Sequence, residues 1–371
     1  MISNRAAGVA VIAAFLFGLV VSLSIRPAGK TGHSTTSSAK SSTTEQVRID
    51  WRVPLAFPTS MPGLGDNPLY LQDVLQVSSR GAIKLRLSDP GEIVPAFSIS
   101  DAVRDGKVAA GYTWLGYDQG KTSASTLLAA VPFGMEPMEF AAWWFEAGGK
   151  ELGEKLYESY HAKPIFCGII GPETAGWFRQ KIQSLDDVRG LKIRFAGIGG
   201  KVLERLGASV TMIPGGEIYQ ALEKGAIDAS EFSLPIVDQS LGFNRIASYN
   251  YFPGWHQPAT ASHLLVNLSV WNELAKEDQV LIETACSASV TRNLAQTESQ
   301  QGAVIAGFAD IGVSAEILPQ SVLKALQKVT QEVLAEEAAK DTMFKEILDS
   351  QTEFREIYAA WKTRAYLPRN F

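Results

Sequence analysis

From Trp51 onward, apolar positions alternate between short strand-like runs and stretches with the three-and-four spacing of helices. WRVPLAF (Trp51–Phe57) is a short apolar strand closed by Pro58, and a helical stretch from about Leu69 to Ser79 leads to the strand IKLRL. DPGEIVPAFSISDAVRDGKVAAGYTW then holds a turn, a short helix ending at Gly106 and the apolar strand VAAGYTW. Pro137–His161 is helical, with a break near Gly148 and Gly149 and an aromatic stripe (Phe140, Trp143, Trp144, Phe145) that reads as core. AKPIFCGIIG is a buried strand. This βαβ rhythm predicts an α/β fold with a mostly parallel sheet and helices on its faces.

After GPETAGWFR the chain crosses into a second unit, centred on residues 190–232. There LKIRF, a glycine-rich turn (Gly197, Gly199, Gly200), a helix Lys201–Leu206, SVTMI, a helix Glu217–Lys224 and AIDASEF follow one another. Gly225 is a normal C-terminal helix stop. In YNYFPGWHQPATA (Tyr249–Ala261) the pattern dissolves, and HLLVNLSVW resumes as a strand. The chain thus leaves one unit, builds another and returns, which describes two hinged lobes with a cleft between them. A long helical pattern from Trp271 to about Phe308 follows, then two helices from Leu318 onward. The predicted organisation is lobe I from residues 47–170 and 260–308, lobe II from 171–259, and C-terminal helices in 309–371 packing on the lobes.

The first fifty residues differ. Arg5 precedes the run AAGVAVIAAFLFGLVVSLSI, long enough to span a bilayer, and Arg26 and Lys30 follow it. Residues 1–28 are an uncleaved signal anchor or a cleaved signal peptide, and either implies export. Residues 29–46, rich in Ser and Thr, form a flexible linker. A length of 371 residues with 46% hydrophobic and 20% charged residues fits two globular domains. The net charge of -5 gives no sign of nucleic-acid binding. Export permits a disulfide, but Cys167 and Cys286 lie in different predicted elements and read as buried free thiols.

No nucleophile elbow, P-loop, dinucleotide fingerprint or closely spaced zinc motif occurs. GIGGK (197–201) superficially resembles a phosphate loop but reads as a tight strand-to-helix turn. Of the four histidines, only His256 sits where a cleft residue would, and beside Trp255 it reads as a packing group. Arg194 and Glu231 both fall at the carboxyl ends of strands, where open α/β sheets bind ligands. Arg194 is either a structural ion-pair partner or a fork that clamps a ligand carboxylate. Glu231 either pairs with it or holds a cation, because a carboxylate beside a bound carboxylate is repelled unless positive charge lies between them.

LKIR, GGEIYQALEKGAIDASE and YNYFPGWHQPATASHLLVN, with AVPFGMEP and GWFR, resemble the extracytoplasmic solute-binding proteins of TRAP transporters over Trp51–Tyr358. Within them they resemble the branch that binds 2-oxo and 2-hydroxy monocarboxylates with a metal ion. The resemblance implies a two-lobed, periplasmic-binding-protein-like fold with a long interlobe helix, and a non-enzymatic role. It assigns Arg194 to the ligand carboxylate and Glu231 to the metal. Phe232 stands where the branch often has tryptophan and offers its backbone carbonyl to the metal, while Glu173 replaces a glutamine that touches both metal and ligand. A second acidic donor would favour Ca²⁺ over Na⁺. Tyr117 matches a cleft tyrosine; Asp118 and Gln119 replace aromatics, implying a more polar wall; Trp255 and Tyr251 are expected to cap the pocket.

The implied function is capture of a small carboxylate such as pyruvate or lactate in the periplasm, for delivery to TRAP membrane subunits. The N-terminal segment would hold the protein at the inner membrane if it is not cleaved. Relatives extend past the last helix with a segment used in swapped dimers, whereas this chain stops at Phe371, which leaves dimerisation open. A membrane-tethered sensory module is the alternative. A metal-dependent enzyme on 2-oxo acids is disfavoured by the lack of a convincing base.

Overall fold

The structure, a computed structural model, describes residues 46–367. The predicted N-terminal anchor or signal peptide, and nearly all of the linker, lie outside the described residues.

The first lobe contains β1 (Ile49–Pro54), α1 (Asn67–Ser78), β2 (Ile83–Ser88), α2 (Ile99–Arg104), β3 (Ala110–Trp114), α3 (Pro137–Glu146), α4 (Gly149–Glu158) and β4 (Ala162–Ile170). The second contains β5 (Gly176–Phe178), β6 (Lys192–Arg194), α5 (Gly197–Arg205), β7 (Ser209–Thr211), α6 (Gly215–Glu223), β8 (Ala229–Ser230), α7 (Pro235–Ser240) and β9 (Tyr249–Phe252). The chain returns through β10 (Thr260–Asn267), α8 (Leu268–Glu273) and α9 (Lys276–Ala306), then adds β11 (Ser314–Ile317), α10 (Gln320–Lys340) and α11 (Thr342–Ala365).

In the first lobe β1 pairs parallel with β2, and Leu55 bridges this pair to Tyr112 of β3. The returning β10 lies between β3 and β4 and is antiparallel to both. The mostly parallel sheet expected from the βαβ rhythm is therefore mixed, because the central strand arrives from the other lobe rather than from a local crossover helix. The second lobe is a six-stranded sheet in the order β11-β9-β5-β8-β6-β7. Three of its strands escape the sequence pattern, the first being Gly176–Phe178 (β5), within the stretch read as a crossing. Tyr249–Phe252, where periodicity dissolves, is β9, and Ser314–Ile317, just ahead of the C-terminal helices, is β11.

The aromatic stripe is core: Phe140, Trp143 and Trp144 are buried, Trp143 packs edge-on against the other two, Phe140 and Trp144 stack, and both of these also meet Phe166. Phe145 is exposed. The glycine-rich stretch is not a turn but the first turn of α5, which begins at Gly197. A Cβ on Gly199 would stand 2.5 Å from Phe195 Cε1 and 2.9 Å from His256 Cβ. That glycine lets the helix approach both side chains, so the phosphate-loop likeness has a packing cause.

α9, 31 residues and so about 46 Å long, joins the lobes. Near its start Asp278 accepts two hydrogen bonds from Arg48, at 2.8 and 3.1 Å. Further along, Ser289 donates to Asn67 at 3.0 Å and Asn293 to the Gly63 carbonyl at 2.7 Å. At its far end Gln301 accepts from the Ile236 N–H of the second lobe at 3.2 Å. α10 packs on α5 through Lys201–Glu337 and Arg205–Glu336 ion pairs. α11 returns to the first lobe, where Trp143 Nε1 donates to Ser350 at 3.1 Å and Gln351 to the Leu127 carbonyl at 2.7 Å.

The reading of two free thiols is overturned. Cys167 on β4 and Cys286 on α9 form a disulfide, with Cα atoms 4.2 Å apart and a separation of 119 positions in sequence. The pairing arises because α9 lies along β4, a contact between segments far apart in the chain. Closing so long a loop removes much unfolded-state freedom. Replacing both cysteines by serine is expected to lower stability by about 2–5 kcal/mol, read as a lower thermal midpoint in the ligand-free protein; an unchanged midpoint would show that the bridge adds nothing.

Candidate functional site

β6 and β8 run parallel with Arg194 opposite Ser230, so Arg194 and Glu231 emerge at the same edge of the second sheet. The Glu231 N–H donates to the Arg194 carbonyl at 3.1 Å. The side chains meet as well: Arg194 Nη1 donates to the Glu231 carbonyl at 3.0 Å and to its carboxylate Oε2, while Nε donates to the Ile213 carbonyl at 3.1 Å. Both residues are buried, at 1% and 0% exposure, so neither charge is satisfied by solvent. The Phe232 ring centroid lies 5.2 Å from Arg194 Cζ.

The two crossing segments close the site from the side. The Glu173 N–H donates to the Gln257 carbonyl at 3.2 Å, and Ala175 N–H to the Tyr251 carbonyl at 2.7 Å. Thr260 Oγ1 lies 2.8 Å from Glu173 Oε1 and 2.6 Å from Gln257 Oε1. One hydroxyl proton cannot serve two acceptors, so the arrangement is satisfied either by a proton on Glu173 or by the Gln257 amide turning its N–H toward Thr260. Glu173 Oε2 is buried without a hydrogen-bond partner. His256 Nε2 stands 3.6 Å from that oxygen and 3.6 Å from Glu231 Oε1, beyond hydrogen-bonding range.

The electrostatics follow from burial. Loss of solvent raises Glu231 to about 7 despite the adjacent Arg194. Burial first, and the neighbouring Glu231 second, hold Glu173 well above the usual carboxylate range. Burial also pushes Asp238 up to about 8, although it accepts from Trp177 Nε1 at 2.8 Å and the Ser233 N–H at 3.0 Å. His256 is lowered to about 3 by burial, then by the Arg194 charge, and is neutral. If all were ionised, Glu173 and Glu231 would outweigh Arg194, so the site needs protons or a cation. Glu173, Glu231 and His256 each offer one donor atom, all within 4.8 Å of one another. An orphaned carboxylate oxygen among these donors fits a metal ion.

Arg194, Glu173, Glu231, Gln257 and Thr260 line a cavity closed on the other side by Phe57, Leu64, Trp114 and Tyr117 of the first lobe, while His256 and Asp238 lie outside its lining. It gives the centre of a water molecule only about 20 Å³ to move in, which suits a closed site for a very small ligand. A larger hollow of about 340 Å³ near Arg179, Lys181 and Asp187 contains, among the described residues, no buried side-chain polar atom left without a partner.

Arg194, Glu231, Phe232, Glu173 and Tyr117 are brought together around the cavity. Trp255 is not: its ring stacks on Phe195, with centroids 5.7 Å apart, behind the site. The Tyr251 hydroxyl accepts from the Ile182 N–H at 2.8 Å, also away from the cavity. Asp118 turns away to accept from Ser100 at 2.6 Å and Tyr157 at 2.9 Å, and Gln119 lines a separate hollow, so the expected polar wall is absent. Sequence reasoning passed over Gln257, Thr260 and Trp114. Polar residues within the otherwise apolar crossing were the available signal for the first two. Trp114 Nε1 is a buried donor without a partner.

A family model described as bacterial extracellular solute-binding protein, family 7 (DctP), matches residues 62–341. A monocarboxylate 2-oxoacid-binding periplasmic protein of Nostoc sp. is 34% identical over 313 residues, covering 84% of this chain and 86% of that protein. Two solved TRAP periplasmic solute-binding proteins, each 32% identical, cover 86% of this chain. That of Colwellia psychrerythraea, with bound calcium and pyruvate, aligns with a TM-score of 0.82 over 98% of its length. That of Pseudoalteromonas atlantica, with bound sodium and pyruvate, aligns with a TM-score of 0.83 over 97%.

Two outcomes follow from this geometry. A carboxyl raised in the folded state favours the protonated native form, so its contribution to stability is full below about pH 4 and is lost as pH rises through its folded value. The buried histidines His256 and His263, lowered by burial, act oppositely, but only below about pH 6.5. In chelator, the thermal midpoint should therefore fall between about pH 6.5 and 8.5, with Asp238 alone accounting for roughly 1–2 kcal/mol; a flat or rising midpoint contradicts the protonated cluster. Gly199→Ala should cost about 1–3 kcal/mol by crowding Phe195 and His256, measurable by chemical denaturation.

Proposed function

Because the chain belongs to the bacterial extracellular solute-binding proteins of family 7 (DctP), we propose that it captures a 2-oxo or 2-hydroxy monocarboxylate such as pyruvate or lactate, together with a metal ion. It would deliver this ligand on the extracytoplasmic side to the membrane subunits of a TRAP-type transporter. It is a receptor and not an enzyme. The observation that carries the reading is the buried Arg194 set against two crowded carboxylates, Glu173 and Glu231, in a small closed cavity. The ligands named for the relatives support it: pyruvate with calcium, and pyruvate with sodium.

Arg194 is the group that reads the ligand's carboxylate. Its Nε and Nη1 are engaged by Ile213 and Glu231, which fixes the guanidinium plane. The guanidinium also lies against the Tyr117 hydroxyl, whose pKa burial raises and the Arg194 charge moderates, and the two together face the anion. Tyr117 and the unpartnered Trp114 indole N–H donate to ligand oxygens. Glu173, Glu231 and the Phe232 carbonyl hold the cation. A bound cation supplies the positive charge that lets three carboxylates share one buried site. Trp255 acts from behind, by packing Phe195. Exclusion of water by the apolar first-lobe wall strengthens every charge interaction inside.

No helix among the described residues is long and apolar enough to cross a membrane. Attachment to the inner membrane, if the leader is retained, would rest on the apolar run in residues 1–28.

With calcium present, pyruvate at a hundred times its dissociation constant should stabilise the protein by about 2.7 kcal/mol. Arg194→Met should abolish that gain while the variant still unfolds cooperatively. A folded variant that gains as much as wild type removes Arg194 from ligand recognition. Wild type that gains nothing from pyruvate, lactate or other short 2-oxo and 2-hydroxy acids overturns the proposed function.

A further inference from the structure

Trp114 ends β3, and the 3-10 turn Leu115–Gly120 begins directly after it. Its indole is buried and meets Tyr117 edge-on, with ring centroids 5.1 Å apart. The six-membered ring lies over Gly116, where an added Cβ would run into Cη2, Cζ2 and Cζ3. The same Cη2 would stand 3.5 Å from a Cβ on Gly197, the first residue of α5, whose φ of +66° already favours glycine. The hydrocarbon edge of the ring is thus seated between one glycine of each lobe, and closure of the lobes completes the seat.

Gly197 also lines a second hollow, of about 420 Å³. Phe195, Val210 and Met212 give that hollow apolar walls, with Gln119 of the first lobe and the charged Lys201 and Glu204 beside them. The ligand cavity, by contrast, has room for roughly one ordered water. A three-carbon acid fills it, and a longer chain has no further space on its own side of the indole. We propose that Trp114 sets ligand length: its ring seals the closed cavity from the hollow, so the protein takes two- and three-carbon acids and rejects longer ones that the hollow would otherwise receive. The inference rests on the functional reading above and deepens it. Two edges of one side chain then do separate things. The indole N–H, buried without a partner, is the donor assigned above to the ligand, and the hydrocarbon edge is the stop. A chain pushed against that stop meets overpacking, not a lost polar contact.

The test is a calorimetric titration, with calcium present, of straight-chain 2-oxo acids: glyoxylate, pyruvate, 2-oxobutyrate and 2-oxohexanoate. Wild type is expected to bind 2-oxohexanoate at least about tenfold more weakly than pyruvate. Trp114→Ala removes both the ring and the N–H, so pyruvate should weaken, while the ratio between the two acids falls to near unity or inverts. Trp114→Phe keeps a ring in the seat without the donor, so it should weaken every acid by a similar factor and preserve the wild-type order. Thermal unfolding shows which variants are folded. Should Trp114→Ala not fold, Trp114→Leu, which vacates most of the seat, carries the same expectation. Wild type that binds 2-oxohexanoate as tightly as pyruvate overturns the assignment, and so does a folded Ala or Leu variant that keeps the wild-type order. If pyruvate still binds wild type in those cases, the carboxylate reading stands and only the role of Trp114 falls. If no acid of the series binds wild type, the functional reading falls first.

Discussion

The ion pair between Arg194 and Glu231 is the constraint around which the second lobe is arranged. Removing two charges from water costs several kcal/mol each, and one partner alone would be stranded. The fold answers by placing them on neighbouring parallel strands, bonded through backbone as well as side chain, with the Ile213 carbonyl taking a third donor. Even so, Glu231 is held near neutrality by burial. A pair so incompletely compensated is a poor device for stability and a good one for binding, since an arriving anion and cation complete its charge balance.

The surroundings extend the same logic. Asp238 accepts from Ser233 and Trp177, so it fixes the turn that follows Glu231 and Phe232. The crossing segments are bonded to each other through Glu173 and Gln257 and to the second sheet through Ala175 and Tyr251. Thr260, first residue of β10, ties the Glu173 carboxyl to Gln257. α9 and the disulfide brace the first lobe, and α10 and α11 pass from one lobe to the other.

Much of this was legible in the chain. Arg194 and Glu231 could be placed at strand ends because local periodicity locates strands and parallel sheets present those ends to one cleft. The double crossing could be read because the pattern broke and resumed. What escaped depends on direction or on distant contacts. Tyr117 and Asp118 are adjacent in a 3-10 turn, where successive side chains diverge by about 120°; one faces the cavity and the other Ser100. Trp255 and His256 are neighbours that both pack on Phe195, and neither lines the cavity. The Cys167–Cys286 bridge and the pairing of β9 with β11 join segments whose proximity no local pattern records.

The cavity's lining divides unevenly between the lobes. Every charged group comes from the second lobe and the crossings, while the first lobe contributes Phe57, Leu64, Trp114 and Tyr117. Formal charge is therefore confined to one side of the cavity. Changes at Phe57 and Leu64, the two first-lobe positions without a polar donor, can alter which side chain a ligand carries while leaving the polar and ionic contacts intact. The same ion-dependent receptor can thus be retuned along a series of homologous acids one wall residue at a time.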